Sequence, residues 1–148
     1  MTTRTKLFAA AAALGVLVLA LSRGDEPSER LGALRVDPMA TYAPPGGDLV
    51  DTDAQNEGAS LGEPVPARYT RLFQLGTGGT RALADARSAA IAAGWKRLGG
   101  PARETFVGTK RVPSGRIELT LVLVEDSRLL PDGVKPPALS VSLHHLGP

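Results

Sequence analysis

The chain contains no cysteine. That absence excludes a disulfide framework, a thiolate metal site, an iron–sulfur cluster, a cysteine nucleophile and a lipid-modified N-terminal cysteine. Histidine is confined to the neighbours His144 and His145. Adjacent strand residues point to opposite faces, so the two cannot chelate one ion, and no metal is expected. Aromatic residues make up only 4% of the chain. They do not interleave with the bases, so nucleic acid is not an expected partner. No G-x-S-x-G elbow is present, and no nucleophile, base and orienting acid converge in the sequence; neither an enzyme nor a cofactor is expected. What is present is a 148-residue chain, 43% hydrophobic and 22% charged. It is long enough for one ordinary domain and too apolar to be disordered throughout.

A net charge of +2 hides three zones of different sign. Residues 1–22 carry Arg4 and Lys6 and no acid; residues 23–63 carry three bases and nine acids; residues 64–148 carry twelve bases and six acids. In the first zone, residues 7–22 form a 16-residue run without a charge. As a helix it would be about 24 Å long, short for a hydrocarbon core of ~30 Å and slightly long for a signal-peptide core of about 7–15 residues. Leu19 and Leu21 extend the run and favour a membrane anchor, while Ala20-Leu21-Ser22 offers a cleavage site that would release a secreted protein. Cations before the run place the remainder outside the cytoplasm in both cases. The expected location is therefore the cell membrane, single pass, with the C-terminal domain outside; secretion is the alternative.

Residues 23–63 read as a disordered acidic linker. Asp25-Glu26-Pro27, Asp37-Pro38, Pro44-Pro45-Gly46-Gly47 and Asp51-Thr52-Asp53 combine breakers with like charges that extend a chain. Short apolar islands at residues 31–36 and at Leu49-Val50 interrupt it. The acids at Asp51, Asp53 and Glu57 do not make a calcium loop, because Asn56 stands at the turn-glycine position and Gly62 at the bidentate position.

Residues 64–148 read as a small α+β domain in the order β-α-β-β-β, with one alanine-rich helix packed on a mostly antiparallel sheet. Strands are expected over residues 68–75, 104–112, 116–125 and 138–145, where apolar residues alternate. Pro113-Ser114-Gly115 marks a hairpin turn. A helix is expected over residues 81–93, capped by Thr80, with Leu83, Ala86, Ala90 and Ala93 on one stripe and Ile91 beside it. Gly94 suits the left-handed position that ends it, and the sole tryptophan, Trp95, is expected to anchor the core. The Gly76-Thr77-Gly78-Gly79 turn resembles the start of a dinucleotide fingerprint, but Arg81 replaces its last glycine. A small exported enzyme with its site at Gly76–Gly79 is kept as an alternative.

The remaining lead is basic. Lys110 and Arg111 precede the hairpin turn, Arg116 follows it, and Lys96, Arg97 and Arg103 lie in the connection before. Together they form a candidate site for an anionic lipid, an anionic wall polymer or a protein partner. Arginine outnumbers lysine 13 to 4 and alanine counts 21. With Asp37-Pro38-Met39-Ala40, Pro44-Pro45-Gly46-Gly47 and Ala89-Ala90-Ile91-Ala92-Ala93-Gly94-Trp95, the layout resembles the small uncharacterised exported or membrane-anchored proteins of actinomycetes. The resemblance implies an apolar N-terminal segment, an acidic stretch and a small α+β domain, and carries no activity with it.

Overall fold

The computed structural model describes residues 26–100 and 102–148. The apolar run of residues 7–22, with its anchor and signal readings, lies outside the described residues. Within them no helix is long and apolar enough to cross a membrane.

The acidic segment is not a tether. Its described part folds, because its apolar islands and its breakers both have structural uses. Ser28 caps α1 (Glu29–Arg35) by accepting from the Leu31 amide at 3.1 Å. Glu29 and Arg35 sit at the helix ends their charges favour. The i, i+3 pair Leu31 and Leu34 is buried. Asp37 caps α2 (Pro38–Thr41), with Pro38 in the first turn, where a missing N–H costs nothing. Pro44 to Gly47 closes a turn through the Gly47 amide and the Pro44 carbonyl. The chain then enters β1 (Gly47–Gln55), a nine-residue strand that carries Asp48, Asp51 and Asp53.

β1 runs through a thin extension, β2 (Gly58–Ser60) and β3 (Glu63–Val65), and returns as β4 (Arg68–Leu75). The tip residues Leu61 and Gly62 have φ of 52° and 83°, the left-handed pair that a two-residue hairpin loop requires. After β4 come α3 (Gly79–Ala92), β5 (Lys96–Arg97), β6 (Thr105–Val112), β7 (Gly115–Val124), a 3-10 turn at Ser127–Leu129 and β8 (Ala138–Gly147). The six-stranded sheet has the order β1-β4-β8-β7-β6-β5, and every neighbouring pair is antiparallel. The fold is α+β, and the expected β-α-β-β-β run survives as β4-α3-β6-β7-β8. β4 joins the sheet beside β8, however, and lies antiparallel to its successor β6. With β1 paired to β4, no boundary separates the acidic segment from residues 64–148.

Helices α1, α2 and α3 pack on one face. That face presents Ile117, Leu119, Leu121 and Leu123 of β7 with Leu139, Val141 and Leu143 of β8, all buried. Burying each such side chain contributes about 1.5–3 kcal/mol. Helix α3 starts at Gly79 rather than at residue 81. Its N-cap is Gly78, at φ 74°, and Thr80 lies inside the helix. The reason is close approach: a Cβ on Gly79 would stand 2.9 Å from Leu123 Cδ1. Ala82, Leu83, Ala86 and Ala90 are buried, whereas Ile91 is turned outward and exposed. At the other end Gly94 adopts φ 87° and the Trp95 amide donates to the Ala90 carbonyl at 3.1 Å, the closure expected of a glycine-terminated helix.

Candidate functional site

Trp95 is buried, and its indole N–H donates to Asp37 Oδ1 at 3.2 Å. The same carboxylate accepts from the Met39 amide at 2.9 Å and from Lys110 Nζ at 2.8 Å. Lys110 also lies 5.8 Å from the Trp95 ring centroid, within reach of a cation–π contact. One residue of the expected basic site is thus committed to an internal ion pair that fastens the acidic segment to the sheet. Arg71, which interrupts the apolar face of β4, serves a similar purpose. It donates to the carbonyls of Ala40 at 3.0 Å and Tyr42 at 2.8 Å, satisfying the end of α2.

The other expected bases divide. Lys96, opposite Thr109 across the β5–β6 pair, and Arg111, opposite Arg116 across the β6–β7 pair, fall on the sheet face that no described helix covers. With Gly94, Thr109 and the Lys110 stem, these three bases line a hollow of about 530 Å³ that has no acid in its lining. A second hollow of about 290 Å³ shares Arg111 and Arg116 on the turn side. Arg97 points to the other face of β5, as alternation requires. Arg103 precedes the far end of β6, about 25 Å along the strand from Arg111. The structure therefore gathers Lys96, Arg111 and Arg116, commits Lys110 elsewhere, and leaves Arg97 and Arg103 outside.

Arg111 and Arg116 are direct cross-strand partners. Like charges so placed repel, a cost of roughly 0.2–1 kcal/mol. Among the described residues neither takes part in a salt bridge. The next row of the uncovered face runs Arg68, His144, Glu118, Thr109 and Lys96, so one acid stands beside the bases although outside the hollow. Beyond it lies the rest of the face. Its central rows are uncharged: Thr70, Ser142, Thr120 and Val107 form one, and Leu72 to Thr105 the next. Hydroxyls meet along it, Thr70 to Ser142 at 3.0 Å. The far edge is acidic. Asp53 holds Arg68 at 2.6 Å there, while Asp48 and Asp51 form no ion pair among the described residues.

The two histidines stand on opposite faces, and no group of three potential metal ligands occurs among the described residues. Burial pushes the His144 imidazole below its ordinary value; Glu118 opposes and Arg68 assists. His145 is buried beside the β6–β7 turn, and its Nε2 is 2.9 Å from Ser114 Oγ. This contact has the look of a nucleophile and its base, but the tautomer is wrong. The Gly147 amide donates to His145 Nδ1 at 3.1 Å, so a neutral ring carries its proton on Nε2 and donates it to Ser114. A base for serine would need the reverse arrangement. Burial, and then Arg30, hold the His145 pKa down.

At Gly76–Gly79, Gly79 is packed against Leu123 and Pro137 and serves a close helix–sheet approach, while Gly78 supplies the left-handed N-cap at φ 74°. A larger hollow, about 580 Å³, lies at the opposite end of the sheet from the basic one, between Val122, Val124 and Leu129. Its Arg128 is bound to Asp126 at 2.6 Å. Sequence reasoning missed the Asp37–Lys110 pair and the acidic strand edge. The available signal was Asp37-Pro38, a cap followed by a first-turn proline, which reads equally well as a chain breaker. Comparison of the chain with protein-family models, with curated proteins and with solved structures found no match.

Proposed function

We propose that this chain is a non-enzymatic binding module displayed on the outer side of a cell membrane, anchored by residues 7–22, and that its basic corner takes an anionic partner. Secretion after cleavage behind Ser22 is the alternative topology. The observation that carries the binding reading is the Arg111–Arg116 pair: two like charges set opposite each other, with Lys96 beside the same hollow and no acid in its lining. A fold under selection for stability alone gains nothing from that placement, whereas a phosphodiester or carboxylate partner relieves it.

The test uses the full chain in neutral detergent. A soluble glycerol phosphate polymer, and vesicles of phosphatidylglycerol or phosphatidylcholine, serve as separate probes. Binding to the polymer or to the anionic vesicles, in excess of binding to phosphatidylcholine, is expected and should weaken with salt. Arg111→Gln with Arg116→Gln should reduce affinity about 30-fold, at ~1 kcal/mol per charge. Equal binding to both vesicle types with no binding to the polymer, or an unchanged affinity in the double variant, would overturn the reading. Proteolysis of intact spheroplasts tests the topology: a C-terminal domain protected from added protease contradicts display outside.

A further inference from the structure

We infer that the uncovered face of the sheet is a self-complementary interface, and that a second copy of this chain occupies the basic corner until a polyanion displaces it. The inference rests on the basic corner proposed above and names the competitor for it.

Sheets usually turn charged and polar side chains outward on a face left to water. Here the middle of the uncovered face carries two four-residue stretches without a charge, from Thr70 to Val107 and from Leu72 to Thr105, each ending on a β1 acid, Asp53 or Asp51. Most of the charges lie toward opposite corners; the row between holds Arg68, paired with Asp53, and Glu118, which stands beside the basic corner. Asp48 and Asp51 stand on β1, and Lys96, Arg111 and Arg116 on β5, β6 and β7. A two-fold axis lying in the plane of contact, perpendicular to the line joining the corners, lays each acidic corner over the other copy's basic corner. The uncharged stretches then meet each other, face to face, in the manner of a sandwich.

Area and edges agree with this arrangement. Five strands ~4.8 Å apart and four rows ~7 Å apart give about 600 Å² per copy. The total of about 1,200 Å² lies at the lower bound of stable interfaces. Pairing through the edges is discouraged instead. β1 has a bulge between Leu49 and Asp51 and carries acids along its length, and β5 is only two residues long. Both are devices that blunt an edge. Among the described residues, the face is the surface left for a second copy.

The absence of cysteine makes cross-linking specific. Full-length Asp51→Cys chains mixed with Arg111→Cys chains should be joined by a short bismaleimide, while Asp51→Cys chains alone should not. Sedimentation in density-matched detergent should show a dimer for the unaltered chain. Thr120→Glu, which keeps residues 1–25 and both corners, should weaken the dimer at least tenfold and bind the glycerol phosphate polymer several-fold more tightly. Asp51→Arg should weaken the dimer, and adding Arg111→Asp should restore it, which separates charge pairing from misfolding. A monomeric unaltered chain, Asp51-to-Asp51 cross-links, or a monomeric Thr120→Glu chain with unchanged polymer affinity would each overturn the inference. If the cross-links and the dimer are found but neither form binds polymer or anionic vesicles, the anion-binding reading falls and the self-association stands.

Discussion

At the scale of single residues, Asp37 joins the two halves of the sequence. Three donors converge on a carboxylate whose side chain is 3% exposed, and Lys110 loses its counter-ion if it is removed. Breaking a buried pair costs ~3–5 kcal/mol, and Lys110 keeps some contact with water, so Asp37→Ala should lower stability by about 3 kcal/mol. The midpoint of urea unfolding followed by fluorescence of the single tryptophan measures this directly. His145 makes stability depend on pH. Arg30 and Glu29 from α1 and Glu57 from the hairpin extension face it, and burial is the largest influence on it. Its folded pKa lies below the ordinary 6.5, so the folded imidazole stays neutral while the unfolded chain takes up a proton. Stability is therefore full above pH 6.5 and should fall as pH drops from there through the folded pKa. His144 acts in the same direction. Unfolding midpoints from pH 8 to pH 5 should decline, and His145→Gln should flatten the decline.

At the scale of elements, helix α3 is positioned by contact rather than by capping. Gly→Ala in a helix normally gains about 0.5–1 kcal/mol. At Gly79 the added methyl meets Leu123 at 2.9 Å and Pro137 at 3.1 Å, and the clash should prevail, with a net loss of about 1–3 kcal/mol. A rise in melting temperature for Gly79→Ala would show that α3 can shift away from β7. The strands β4, β6, β7 and β8 were legible because apolar residues alternate along them, and a two-residue period is what an extended chain with one covered face requires. The helix α3 and its glycine stop were legible from alanine content and Gly94. The short helices α1 and α2 were not. A single buried pair such as Leu31 and Leu34 does not establish a period, and Asp37-Pro38 serves equally as a cap or as a break.

At the scale of the whole molecule, the acidic segment belongs to the domain. Leu31, Leu34, Met39 and Ala40 help to cover the sheet, and β1 completes its edge. Deleting residues 26–55 from the full chain should therefore give a protein that unfolds several kcal/mol more easily or does not fold, since buried apolar side chains of this size contribute about 1.5–3 kcal/mol each. A truncated chain with an unchanged urea midpoint and unchanged m-value would restore the tether. The same arrangement explains how an acidic stretch and a basic domain coexist. The acids of β1 and the bases of β5 to β7 lie at opposite sides of one sheet face instead of neutralising each other.

The sequence by itself determined the α+β class, the antiparallel run from β6 to β8 and the opposed directions of the two histidines. These depend on local periodicity, glycine conformation and strand alternation, which act between near neighbours. Only the tertiary structure decided that Lys110 belongs to Asp37, that Arg103 lies far from Arg111, and that the acidic segment forms helices and an edge strand. Each of those outcomes turns on which distant side chains meet, and a linear pattern of charge and hydropathy does not encode the partner of a lysine 73 positions away.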